Sequence, residues 1–367
     1  MRGFISGLVI GLVIGAVLAV TAPSSNAPLQ YDGPTTKGAK KKWETNIRWK
    51  MASAFPGDMP VAGNLARTFA DRLKITSNGQ VDIEFHEPGA LVPTLDLLDA
   101  VASGAVESGF ASPIMWGNKS PALELFGAVP FGPDTKEFLA WWHTGGGKKF
   151  YNNLYHQMNV HGILCGTTGI AGGGWFARQI SQATDLKGMK VAASGLAATI
   201  YRTIGAKPIR LAPADISAKA QKNELDGVSF SMPSIDRYLD LDNFAKYYYF
   251  PGWHQQSGFY DLIINLGKWN DLSQRQRIMI EMACAANIQE GIALGEGTQF
   301  KALKDIVIRG VEVKKWPSGV TEAMRQAWAK VVREKSAADK NFRRVFSSLK
   351  KFREDYSIWR ELGELKP

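Results

Sequence analysis

The sequence predicts an α/β fold of two lobes, and three observations carry that reading. From Trp43 onward, apolar residues recur in alternating stretches of period 2 and period 3.6, the pattern of strands interleaved with amphipathic helices. The alternation runs to the neighbourhood of Ile163 and then starts again, as two similar units would. At 367 residues, 45% hydrophobic and 21% charged, the chain is long enough for two cores and too apolar to be disordered.

Residues 47–54 read as a strand, 61–73 as an amphipathic helix, and Val81-Asp82-Ile83-Glu84-Phe85 alternates as a second strand. Residues 95–103 are helical, 106–111 form a third strand, and another helix covers 133–143. The stretch 160–167 is a buried strand leading out of the first unit. The second unit reads as strand 189–193, helix 196–204, strand 208–211, helix 214–222 and strand 227–231. Strands at 247–250 and 259–266 are placed to cross back. Long helical patterns follow at 273–308 and 321–362, split by a short strand at 311–316. This divides the chain into a first lobe (43–163), a second lobe (164–256), a return to the first lobe with a long helix (257–320) and a basic C-terminal helix (321–367). Two lobes joined by several crossings place a ligand in the cleft between them, where loops from strand carboxyl ends meet.

The segment 1–27 reads as an export address. Met1-Arg2 is a positive start, an apolar run spans 4–20, and Ser25-Asn26-Ala27 resembles an A-x-A cleavage pattern. Pro23 and Pro28 follow the two candidate cut points, and the run is near the ~17-residue lower limit for crossing a bilayer. A cleaved signal and a retained anchor therefore both stay open, and 28–42 is a polar linker ending in three lysines.

A net charge of +10 suggests nucleic acid until it is located. From residue 301 to the end there are 17 Lys/Arg against 9 Asp/Glu, alternating in sign along helical stretches. That is a solvated helix face, with an acidic partner or an anionic membrane surface as the competing reading and no nucleic acid expected. Met324, Ala327, Trp328, Val331 and Val332 follow a spacing of 3 and 4, a stripe that packs on the body or on a second subunit.

The catalytic inventory is thin. No two of His86, His143, His156, His161 and His254 form an HxxH pair, and GxSxG, GxxxxGK[ST] and zinc-deaminase patterns are missing. Gly145-Gly146-Gly147-Lys148 follows a helix, so it reads as a C-cap and turn rather than a phosphate loop. Two cysteines allow no CxxC pair, zinc site or disulfide framework, and Cys165 in an apolar strand reads as an inert core thiol. A core of this size needs no staple. Tyr247-Tyr248-Tyr249 with Trp253 builds core rather than a stacking platform. No cofactor or metal is expected, and an enzyme is disfavoured.

Several strings then resemble a known family, the DctP-type solute-binding proteins of TRAP transporters. They are Trp49-Lys50-Met51-Ala52-Ser53-Ala54-Phe55-Pro56, Gly89-Ala90-Leu91-Val92-Pro93 and Leu98-Asp99-Ala100-Val101, then Lys119-Ser120-Pro121-Ala122, Ala128-Val129-Pro130-Phe131-Gly132 and Asp185-Leu186-Lys187-Gly188-Met189-Lys190. The string Ala245-Lys246-Tyr247-Tyr248-Tyr249-Phe250-Pro251-Gly252-Trp253-His254 is similar to the branch holding the α-keto-acid binders. The resemblance implies a two-lobed periplasmic binding protein fold, type II-like, with crossing strands and long C-terminal helices. It implies a periplasmic receptor that closes on a small solute and delivers it to the large and small subunits of a TRAP permease. It also implies a homodimer through the C-terminal helix.

The departures from the branch carry the sharper expectation. Its carboxylate-binding Arg corresponds to Ala192, and its cation ligands to Ala171, to Ser229 and Phe230, and to Gln255. A tyrosine pair corresponds to Ile114 and Met115. Losing the Arg alone would strand a buried anion, and losing the acids alone would strip a cation of hard oxygens. Losing both leaves a nearly neutral cleft. The expected ligand is neutral or largely apolar, with a carboxylate held by another arginine, Arg178 or Arg202, as the alternative. Phe55, Trp116, Phe230, Met232 and Trp253 are expected as walls, Ser194, Ser229, His254 and Gln255 as polar contacts, and Gly174 beside them. An exported enzyme or a signalling receptor on the same scaffold is the alternative of another class.

Overall fold

The period-2 segments pair into two sheets. The structure, a computed structural model, describes residues 46–363. The export address and linker lie outside the described residues.

The first sheet takes β1 (Ile47–Ser53), β2 (Val81–His86), β3 (Ser108–Ala111), β4 (Val160–Thr168) and β10 (Gly258–Asn265), in the order β2-β1-β3-β10-β4. β1 runs parallel to β2 and β3, while β10 is antiparallel to β3 and β4. The second sheet takes β5 (Gly174–Phe176), β6 (Lys190–Ala192), β7 (Lys207–Ile209), β8 (Gly227–Val228), β9 (Tyr247–Phe250) and β11 (Glu312–Lys315), in the order β11-β9-β5-β8-β6-β7. Here β6 is parallel to both β7 and β8. Each sheet thus has parallel strands whose carboxyl ends share one edge.

Helices α1 (Ala62–Thr76), α2 (Leu97–Ser103), α3 (Glu124–Gly127), α4 (Thr135–Thr144) and α5 (Gly147–His156) belong to the first unit. α1 buries Leu65, Phe69 and Leu73, which recur at the 3.6 period. α4 is capped by Asp134, whose carboxylate accepts from the Glu137 amide at 2.8 Å. Gly145 ends α4 and Gly146 has φ +87°, so the glycine run is a cap and turn as expected. It also starts α5, which the sequence reading passed over.

The second unit carries α6 (Gly195–Thr203), α7 (Ile216–Gln221), α8 (Pro233–Tyr238) and α9 (Leu241–Phe244). After β10 come α10 (Leu266–Asp271), α11 (Gln274–Gly297) and α12 (Gln299–Ile308). The long helical pattern is therefore broken at Thr298: α11 packs on β4 and α1 beside the first sheet, α12 on α8 beside the second. β11 then pairs with β9 in the second sheet, so the stretch 257–320 does not return wholly to the first lobe. The expected change of lobe at 163/164 falls inside β4, which stays in the first sheet to Thr168.

The C-terminal pattern is two helices, α13 (Ser318–Ala338) and α14 (Lys340–Gly363), separated at Asp339. Met324, Ala327 and Val331 are buried, Trp328 and Val332 half-buried. α13 packs on α6 of the second unit, and α14 on α3, α4 and α5 of the first. The pair straps the two lobes together.

The cysteine expectation is overturned. Cys165 of β4 and Cys284 of α11 form a disulfide across 119 residues of sequence. The helix α11 lies directly on β4, which brings the two thiols together; nothing in their spacing announces it.

Candidate functional site

The carboxyl ends of parallel strands from both sheets converge on one cavity of about 60 Å³. From the first sheet, Phe55 follows β1, while Ser112, Ile114 and Met115 follow β3 in a tight turn at Pro113–Trp116. From the second, Ala192 ends β6 with Ala193 and Ser194 after it, Ile209 ends β7 with Arg210 and Leu211 after it, and Ser229 and Phe230 follow β8. His254 and Gln255 come from the β9–β10 crossing. Leu196 and Ala197 of α6 complete the apolar wall.

Local bonds fix this wall. The Ser229 amide donates to the Ala192 carbonyl at 2.9 Å, so the two stand side by side. Ser112 Oγ donates to the Phe259 carbonyl at 2.9 Å, and Gln255 Nε2 donates to Thr168 Oγ1 at 3.0 Å. His254 Nδ1 lies 3.4 Å from Ser229 Oγ. Burial lowers the His254 pKa to about 4, against a hydrogen bond with the Phe230 backbone that raises it, so the ring is neutral at physiological pH.

Phe55, Ile114, Met115, Ala192, Ser194, Ser229, Phe230, His254 and Gln255 all lie on this cavity. Five other expected residues do not. Trp116 and Met232 are buried away from it. Trp253 stands behind His254, its ring 5.5 Å from the imidazole and 5.4 Å from Tyr201. Ala171 is fully buried and donates its amide to the Gln255 carbonyl at 3.1 Å. Gly174 has φ +142° within β5, a backbone requirement that favours glycine.

Arg178 and Arg202 are solvent-exposed, and neither lines the cavity. Arg178 instead donates to the Asp185 carbonyl at 2.9 Å. The cation that does reach the rim is Arg210, which sequence reasoning missed. Its Nη2 donates across the cleft to the Met115 carbonyl at 2.6 Å. Below the rim, buried Glu124 pairs with Lys335 of α13 at 3.0 Å; burial raises its pKa, with Lys335 and Arg210 opposing.

The family model for bacterial extracellular solute-binding proteins, family 7, matches residues 52–339. The chain belongs to that family. This DctP-type protein is a solute-binding receptor of the TRAP class and not an enzyme. It is 29% identical over 320 residues to a monocarboxylate 2-oxoacid-binding periplasmic protein of Nostoc sp., covering 87% of this chain and 88% of that one. A TRAP transporter solute-binding protein from Bordetella bronchiseptica, solved as a dimer with copurified calcium and picolinate, is 27% identical with a TM-score of 0.84. That match covers 86% of this chain and 94% of the other. A Colwellia psychrerythraea receptor with bound calcium and pyruvate is also 27% identical, with a TM-score of 0.82, covering 86% and 97%. The DctP receptor carries no helix among its described residues that is long and apolar enough to cross a membrane.

Proposed function

We propose that this chain is the periplasmic receptor of a TRAP transporter for a small solute that is uncharged where it is buried. It closes on that solute and delivers it to the large and small membrane subunits of a permease. Contacts from both sheets make the closed form the one a solute favours.

The observation that carries the uncharged-solute reading is the cavity wall itself. It holds no Asp or Glu, its arginine, Arg210, already donates to the Met115 carbonyl, and where the branch has its arginine stands Ala192. Calcium takes about six to eight oxygen ligands, carboxylates prominent among them. Ser229 and Gln255 offer oxygens without charge, so these residues do not fit the calcium found with picolinate or pyruvate in the two relatives.

The test is a thermal-shift and calorimetry panel. Pyruvate and picolinate, each with sodium or calcium, should leave the melting temperature unchanged. A neutral or largely apolar metabolite from a broad library should raise it, since binding at 100 times Kd adds about 2.7 kcal/mol. Tight, salt-sensitive binding of a simple carboxylate refutes the reading. One observation favours that second reading: Arg210 at the rim keeps guanidinium donors beyond the one given to Met115, and a carboxylate could take them. In that case Arg210→Gln should abolish the binding.

The homodimer belongs to this proposal as well. Ile358, Trp359 and Leu362 near the end of α14 are exposed apolar groups, and sedimentation of the purified protein checks whether a second copy covers them.

A further inference from the structure

One residue of the cavity wall keeps a nitrogen that the protein leaves without a partner. His254 is 5% exposed and lines the cavity, and its Nε2 is buried without a hydrogen-bond partner. The other ring nitrogen has a partner within reach, Ser229 Oγ at 3.4 Å. A neutral imidazole carries one N–H and one lone pair. Ser229 Oγ can give or accept a proton, but the hydrogen bond to the Phe230 backbone raises the ring's pKa, as donation by the ring does, and Nε2 has no partner; the proton therefore sits on Nδ1 and Nε2 is a bare acceptor. Buried acceptors are ordinarily satisfied, so an orphan on the wall of a solute cavity points to a donor supplied by the solute.

Resting on the reading that the solute is uncharged where it is buried, we infer that His254 is the specificity-determining residue of this cavity. Its Nε2 accepts a hydrogen bond from a hydroxyl, and the ligand class is a neutral alcohol on a small apolar body. Ala192, Ile114 and Phe230 take the apolar part. A carboxylate or a ketone has no donor to offer, and its oxygen lone pairs would meet the lone pair of Nε2. A site built for a hydroxyl discriminates against the analogue that lacks it, because its own polar atom is then left unpaired.

The test uses the exported protein labelled with ¹⁵N-histidine and three probes of one four-carbon body: butan-2-ol, butan-2-one and butanoate. Long-range ¹H–¹⁵N spectra should show His254 as the Nδ1–H tautomer, with Nε2 shifting when butan-2-ol is added. The alcohol should bind about tenfold more tightly than the ketone, His254→Phe should level the two, and His254→Gln should keep part of the preference. Melting curves of both variants control for folding. An Nε2–H tautomer, equal binding of alcohol and ketone, or no alcohol-induced shift overturns the inference while leaving the uncharged-solute reading in place. Butanoate binding more tightly than both neutral probes overturns the two together.

Discussion

Ala192 concentrates the functional question in one methyl group. It is 3% exposed and abuts Ser229, so a guanidinium there would enter a dry wall with no acid beside it. Burying an unpaired cation is unfavourable unless the group is paired or hydrogen-bonded. Ala192→Arg should therefore weaken binding of the neutral ligand by at least tenfold in calorimetry, and gain of pyruvate binding by that variant alone would show that the site differs from its relatives at this position only. Which side chains face the cavity was legible where a strand ends: Phe55, Ser194, Ser229 and Phe230 follow parallel strands directly. Trp116, Met232 and Trp253 were misplaced because a bulky aromatic or Met has the same signature whether it lines a cleft or fills the core behind it. Arg210 was invisible for a related reason. Its approach to Met115 depends on how the end of β7 faces the turn after β3, and no local pattern encodes that.

The elements that tie the lobes make their own predictions. Buried Glu137 of α4 accepts from Arg353 Nε of α14 at 3.0 Å and has Arg360 at 3.5 Å, while Arg353 also donates to the Phe131 carbonyl. Removing one partner of a buried ion pair costs about 3–5 kcal/mol. Trimming the chain after Asp339 removes both arginines and uncovers Trp328, which now packs on Phe346. The trimmed protein should aggregate, and one that stays soluble with an unchanged melting curve would contradict this. The disulfide holds α11 to β4 within the first lobe. Cys165→Ser with Cys284→Ser should lower stability by about 2–4 kcal/mol in urea titrations, as loss of a bridge closing a long loop does. Strand and helix order was read correctly from periodicity for most of the chain, since half-buried elements impose it. The exceptions share a cause. β5 is three residues long, α5 begins straight after a glycine run, and the breaks at Thr298 and Asp339 are set by which lobe the next helix packs on.

Across the whole molecule, burial shifts carboxyls and histidines in opposite senses, most strongly at two of each. Burial pushes Asp261 up to about 7, although Tyr155 and Tyr151 donate to it, the latter at 3.0 Å. Burial likewise pushes Asp236 up to about 6, against hydrogen bonds from Trp175 and Tyr248. Burial pulls His254 down to about 4 and His161 down to about 3, His161 being lowered further by His156. The unfolded chain has ordinary values near 3.8 for Asp and 6.5 for His. A raised carboxyl contributes stability that is complete below the unfolded value and is lost as pH rises through the folded one. A lowered histidine contributes stability that is complete above 6.5 and is lost as pH falls toward the folded value. Between about pH 4 and 6 the unfolded chain gains two histidine protons that the native state lacks, while the native state keeps two carboxyl protons that the unfolded chain has released. The slopes of these four groups oppose one another there. Their joint contribution to the melting temperature should change little over that window, fall below pH 4 where His161 still differs between the two states, and decline modestly between 6 and 7 as Asp261 finally ionises. Asp261→Asn separates the terms, because an amide cannot ionise: relative to the variant, the parent should lose stability as pH rises from about 4 to 7 and hold level beyond. Melting curves of both proteins from pH 3 to 9 decide it, and a difference that does not change with pH would mean that folding leaves the Asp261 carboxyl at its unfolded pKa.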